Sequence, residues 1–212
     1  VVNPESFGNP RGIPRSDPNL DQIFVFNKFM GEITLHYPVI RIVAVSSRYP
    51  AALDWGVDTL TKHWGSLFKK SPVFDFQETS YYEKSMGKDV QKQLLAFNQL
   101  MNASQLALTK HQSNDWEQQF KQSHSYPEDR PLNLDPGYLT QAKLILATTK
   151  DRDHRIYLDQ GIYAEVTLFY KGKTWNSSRW TYPDYRRPEY HAFFDQCRHF
   201  LRQQLHSESS GD

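Results

Sequence analysis

Arg155 to Tyr170 reads RIYLDQGIYAEVTLFY, two runs of β-branched and aromatic residues around a break that contains one glycine. Such a segment favours a β-hairpin. The predicted strands are Arg155 to Leu158 and Ile162 to Tyr170, joined by Asp159-Gln160-Gly161, where the glycine is free to take a positive φ angle. With three residues in the loop, Leu158 faces Ile162, Tyr157 faces Tyr163, Ile156 faces Ala164 and Arg155 faces Glu165. One face then gathers His154, Ile156, Leu158, Ile162, Ala164, Val166 and Leu168; the other gathers Asp153, Arg155, Tyr157, Tyr163, Glu165 and Thr167. A two-residue loop would mix these faces.

Around the hairpin the chain alternates strand and helix signals without a regular βα repeat. A strand is expected from Val39 to Val45, then a helix opened by Pro50, with Leu53, Val57, Leu60 and Trp64 on one face and Gly65 as its stop. Ser66 to Phe76 reads as extended, and ETSYYEKSMGKD as a polar connection. Gln91 to Leu100 fits either strand or helix. Leu106, Trp116 and Phe120 mark a helix from about Ser104 to Lys121, ended by HSYPEDRP. Asp135-Pro136-Gly137 reads as a capped helix start. The helix predicted from Pro136 to Thr149 carries Tyr138, Leu139, Ala142, Leu144, Ile145 and Leu146 around most of its circumference, so it should be largely buried. The last helix, Pro188 to about Leu205, aligns Tyr190, Phe193, Phe194, Cys197 and Leu201 and should close the core.

These elements predict a single α+β domain, a mixed or mostly antiparallel sheet packed by helices. Residues 1–29, rich in proline, glycine, serine and asparagine at their start, are expected to be a disordered extension, 30–206 the domain, and 207–212 a flexible tail. The 212 residues carry 25 basic and 24 acidic side chains, a net charge of +1. That balance supplies no global attraction to nucleic acid or to an acidic membrane. The single cysteine, Cys197, excludes an internal disulfide and multi-cysteine zinc patterns, and fits the cytoplasm. No run approaches the roughly 18 apolar residues of a membrane span.

The candidate chemistry lies where the predicted buried helix meets the hairpin, in ATTKDRDHRIYL (Ala147 to Leu158). Lys143 and Lys150 would share one side of that helix and converge near Arg155, which pairs across the hairpin with Glu165 beside Tyr157 and Thr167. Convergent cations and hydroxyls suit a phosphate or carboxylate, because fixed donors replace its lost hydration. The plainer reading is a surface cross-strand ion pair, with lysines favoured only by the helix C-terminus. His154, Glu165 and Asp151 are the acid–base candidates, although parity puts His154 on the apolar face, where a core histidine fits as well. WTYPDYRR, Trp180 to Arg187, adds Trp180 and Tyr182 as stacking rings beside Asp184 and Arg186, or else forms an aromatic turn pinned by Pro183. His191, Asp195 and His199 recur at four-residue steps but lie off the apolar side, so no metal site is expected. No phosphate loop, dinucleotide fingerprint, zinc-protease or serine-hydrolase motif is present, so no cofactor is named by the residues.

DPGYLTQAKLILATTKD, HRIYLDQGIYAEVTLFY, WTYPDYR and the earlier TSYYEKSMG together resemble the blocks of a bacterial family known as domain of unknown function four-four-one-six. The resemblance runs from about Met30 to Leu205. Members of that family open with something like MGE followed by a strand, which implies a domain start near Met30. Some members carry the label GTP-binding, but TTKDRD lacks the spacing of a guanine-reading motif. What the resemblance implies is that Asp135, Lys143, Lys150, Asp151, His154, Arg155, Glu165, Asp184 and Arg186 stand inside the shared blocks. The leading expectation is an enzyme or enzyme-like protein that binds a phosphorylated or nucleotide-like small molecule through Lys143, Lys150 and Arg155. The alternative is a non-catalytic protein-interaction module, with RNA binding a weaker third.

Overall fold

In a computed structural model, residues 35–76 and 83–209 are described. The expectations for residues 1–29 and for the domain start near Met30 lie outside them. Nine strands build one antiparallel sheet: β1 (Val39–Ser47), β2 (Leu67–Lys70), β3 (Phe74–Asp75), β4 (Gln91–Met101), β5 (Asn133–Leu139), β6 (Lys143–Thr148), β7 (Ile156–Asp159), β8 (Ile162–Lys171) and β9 (Thr174–Ser177). Their order is β2-β4-β1-β5-β6-β8-β7, with β3 beside β4 and β9 beside β8. The helices are α1 (Pro50–Trp64), the single-turn α2 (Glu83–Met86), α3 (Leu106–Ser123) and α4 (Pro188–Ser209). Among the described residues no helix is long and apolar enough to cross a membrane.

Strand parity sorts the core into layers. On one face Ile40, Ile42, Ala44, Leu94, Ala96, Leu144 and Leu168 meet Tyr190, Phe193, Phe194, Cys197 and Leu201 of α4. Each fully buried Ile, Leu or Phe side chain among these contributes roughly 1.5–3 kcal/mol. The opposite residues Val43, Val45, Leu95, Phe97 and Leu134 meet Leu53, Leu60 and Trp64 of α1 and Trp116 and Phe120 of α3. The result is the expected α+β domain with its last helix closing the core. α1 begins on Pro50 and ends on Gly65, whose φ of 89° suits glycine. α3 follows a short 3-10 turn, residues 103–105, in which Ser104 N–H donates to the Asn102 side chain at 2.9 Å. Gln91–Met101 resolves as a strand buried along both faces from Lys92 to Phe97.

The helix expected from Pro136 to Thr149 is instead two antiparallel strands, β5 and β6, joined by a turn at residues 140–142. A segment apolar around its whole circumference fits a strand buried on both faces as well as a buried helix. Asp135-Pro136-Gly137 therefore caps nothing. Gly137 permits a close strand approach: a Cβ there would sit 2.2 Å from the Ile145 carbonyl oxygen. Pro136 has no N–H to continue the ladder, and β5 pairs with β6 only from Gly137 to Leu139. Upstream of the proline the two strands separate.

The hairpin has the expected pairs Ile156–Ala164 and Tyr157–Tyr163, but Asp159 pairs with Ile162. The turn is thus Gln160-Gly161, with φ of 47° and 77°, both positive as a two-residue hairpin turn of this kind requires. An irregularity at Leu158 absorbs the extra residue and keeps the earlier register. The burial of the faces differs from expectation. Ile162 packs with Leu106, Ala107, Ile145 and Ala147, whereas Ile156 on the edge strand is 70% exposed. The polar side holds the buried Glu165 and Thr167.

Candidate functional site

The separation of β5 from β6 opens a partly enclosed cavity of about 90 Å³. Its wall includes Asp135 of β5, Thr148, Thr149 and Lys150 at the end of β6, Glu165 of β8, Lys92 of β4, and Lys110 and Asn114 of α3. Arg130, Tyr182, Asp184, Phe76 and Tyr185 also line it, with Leu146 and Ala147 of β6.

α3 supplies what the missing strand does not. Leu134 lies two residues before Pro136, so its backbone groups point to the same side, where β6 is no longer in reach. Leu134 N–H donates to Glu117 Oε1 at 2.8 Å, and Lys110 Nζ donates to the Leu134 carbonyl at 3.0 Å. Glu117 is held in turn by Arg130, whose Nε and Nη2 donate to its two oxygens at 2.9 and 3.0 Å. Lys110 Nζ also reaches Asp135 Oδ1 at 3.3 Å, and Asn133 Nδ2 donates to Asp135 Oδ2 at 2.7 Å.

Asp135 has a side chain 29% exposed. Burial works against its charge, but Lys110, Arg130 and the Asn133 amide outweigh it and hold the carboxyl at about 2. A folded-state value below the ordinary 3.8 gives stability that is present above pH ~4 and lost as pH falls toward 2. In urea titrations Asp135→Asn should accordingly lose less stability than the parent between pH 4 and 2. Parallel losses in both proteins would refute this.

On another part of the wall Lys92 Nζ donates to Asp184 Oδ2 at 2.6 Å and lies 3.7 Å from the centre of the Phe76 ring. Both side chains of this pair are buried.

The sequence-predicted residues fall into three groups. Lys150, Glu165, Tyr182 and Asp184 line the cavity. Arg155, His154, Thr167 and Trp180 stand behind it. Arg155 donates from Nε to Glu165 Oε2 at 2.8 Å, from Nη1 to the Lys150 carbonyl at 2.9 Å and from Nη2 to Tyr182 Oη at 2.9 Å. These three bonds fix cavity groups, so Arg155 acts as a positioning residue. Its ion pair with Glu165 is buried, not a surface pair. Burial and the Glu165 charge push the Tyr182 hydroxyl above its usual range. His154 lies between Asp153 Oδ1 at 3.0 Å and Glu165 Oε2 at 3.3 Å, with one ring face stacked on Trp180. Thr167 Oγ1 donates to Glu165 Oε1 at 3.4 Å.

Lys143, Tyr157, Asp151 and Arg186 are not brought to the cavity. Lys143 begins β6 and Thr148 ends it, about 16 Å along a strand at ~3.3 Å per residue, so the convergence of Lys143 with Lys150 on a helix does not occur. Tyr157 is exposed on β7 against Tyr163. Asp151 lies on a shallow exposed surface with Arg152 and Asp153. Arg186 donates to the Ser178 and Arg179 carbonyls.

Lys92, Lys110, Asn114, Glu117 and Arg130 were not singled out from the sequence, yet three carried a signal. Lys110 and Glu117 interrupt the buried stripe of α3 that includes Leu106, Ser113 and Phe120. Lys92 shares strand parity with the buried Leu94 and Ala96.

No curated protein and no solved structure matches the chain. A family model, "Domain of unknown function (DUF4416)", matches residues 23–200 and so spans every residue of the cavity wall. The chain belongs to this family of domains of unknown function.

Proposed function

We propose that the protein binds the phosphoryl end of a phosphorylated small molecule in this cavity, as an enzyme or enzyme-like protein of the cytoplasm. The observation that supports this is the meeting of four basic side chains, Lys92, Lys110, Arg130 and Lys150, from separate parts of the chain around one small cavity. They stand beside the Thr148 and Thr149 residues, whose side chains are hydroxyls. Fixed cations and hydroxyl donors in a partly dehydrated site are what a phosphoryl group needs in place of water. Of the three acid–base candidates Glu165 is the one on the wall, with His154 bonded behind it, and it is the residue proposed to move a proton.

A thermal-shift screen of the full chain against nucleotides, sugar phosphates and inorganic phosphate, followed by calorimetry of any hit, tests the reading. Lys150 is exposed, so Lys150→Ala should leave folding intact and weaken a phosphate-bearing ligand at least tenfold, the worth of about 1.5 kcal/mol from a charge-assisted contact. A loss below about threefold would count against the site. If no anion binds, the interaction-module reading gains, which the exposed Ile156, Tyr157 and Leu158 of the edge strand favour.

A further inference from the structure

We infer that the ligand is a phosphomonoester whose organic part carries a hydrogen-bond donor, a hydroxyl or an ammonium, held against Asp184. This rests on the anion-site reading and adds the chemistry of the ligand's other half. The observation behind it is separate from the cluster of cations. Asp184 lines the cavity with a side chain 1% exposed; Oδ2 receives Lys92, and Oδ1 has no hydrogen-bond partner among the described residues. A carboxylate oxygen removed from water without a donor keeps its full desolvation penalty, and native structures seldom leave one so.

The surroundings sort the ligand's two ends. Asp184 and Tyr185 come from one short turn, Pro183–Arg186, and Lys92 lies over both the Phe76 and Tyr185 rings, so this part of the wall is aromatic with one acceptor. Thr148, Thr149 and Lys150 are consecutive, and Lys110 is bonded at Asp135, so these cations and hydroxyl residues line the cavity from other elements. A phosphoryl group suits the second part. Placed against Asp184 it would meet like charge and leave Oδ1 unpaired. A carbon chain that ends in a donor suits the first part: it lies on the rings and satisfies Oδ1. A site that holds an acceptor ready for a donor discriminates strongly against an analogue without one.

Calorimetry of the full chain with glycerol 3-phosphate, phosphoethanolamine and propyl phosphate tests this. The expected result is at least tenfold tighter binding of glycerol 3-phosphate or of phosphoethanolamine than of propyl phosphate, and the tighter of the two tells hydroxyl from ammonium. Asp184→Asn, which retains an acceptor for Lys92, should remove most of that preference. Equal binding of all three to the unaltered protein overturns the inference and leaves the anion site standing. Binding of none of them, nor of inorganic phosphate, overturns both. The comparison within the unaltered protein decides even if Asp184→Asn does not fold.

Discussion

Gly137→Ala is expected to destabilise the protein by about 3 kcal/mol, the upper part of the range for an overpacked interior. A Cβ at Gly137 would lie 2.2 Å from the Ile145 carbonyl oxygen and 2.7 Å from Leu146 Cδ2. Leu146 can turn aside, but the carbonyl is backbone of the neighbouring strand. The contact is relieved only if β5 and β6 part, and Gly137–Leu146, Tyr138–Ile145 and Leu139–Leu144 are all the pairs those strands share. Urea denaturation with an unchanged slope would give the loss directly. A loss under about 1 kcal/mol would mean that the strands can move apart cheaply, and that the cavity beside them is not held at a fixed width. By contrast Gly161→Ala meets no atom within 4 Å and carries only the strain of a positive φ.

Gly137 also shows where the sequence was legible and where it was not. Elements with one buried face could be read from periodicity. α1, α3 and α4 display their apolar stripes, and the hairpin displays the Ile156–Ala164 and Tyr157–Tyr163 pairs. β5 and β6 have no such contrast, because Leu134, Leu139, Leu144, Ile145 and Leu146 are buried from both sides of the sheet. With periodicity silent, Asp135-Pro136-Gly137 looked like a helix start, since the same residue types that open a helix also end a ladder and admit a close strand. Reading a helix there placed Lys143 beside Lys150 and concealed the cause of the cavity. The half of the wall drawn from ATTKDRD and the hairpin was visible because its polar residues are contiguous. Lys92, Lys110 and Arg130 lie far apart in the chain, and only the fold brings them together.

Lys92→Met is expected to lose about 3–5 kcal/mol, because it leaves Asp184 buried and charged with no partner on either oxygen among the described residues. The double variant Lys92→Met/Asp184→Leu should recover most of this and denature within about 2 kcal/mol of the parent, since a well-packed apolar pair of similar volume often equals or exceeds a buried ion pair. The four proteins form a double-mutant cycle, and their coupling energy comes from urea denaturation. A double variant as unstable as Lys92→Met alone would show that the pair is held for stability, with Lys92 serving as a packed element above Phe76. The expected recovery has the opposite meaning. If an apolar pair folds as well, the lysine and aspartate are not there to keep α4's turn on the sheet. Their place on the cavity wall, with one carboxylate oxygen unpartnered among the described residues, then belongs to whatever the cavity binds. The double variant should accordingly be folded and bind glycerol 3-phosphate or phosphoethanolamine no more tightly than propyl phosphate.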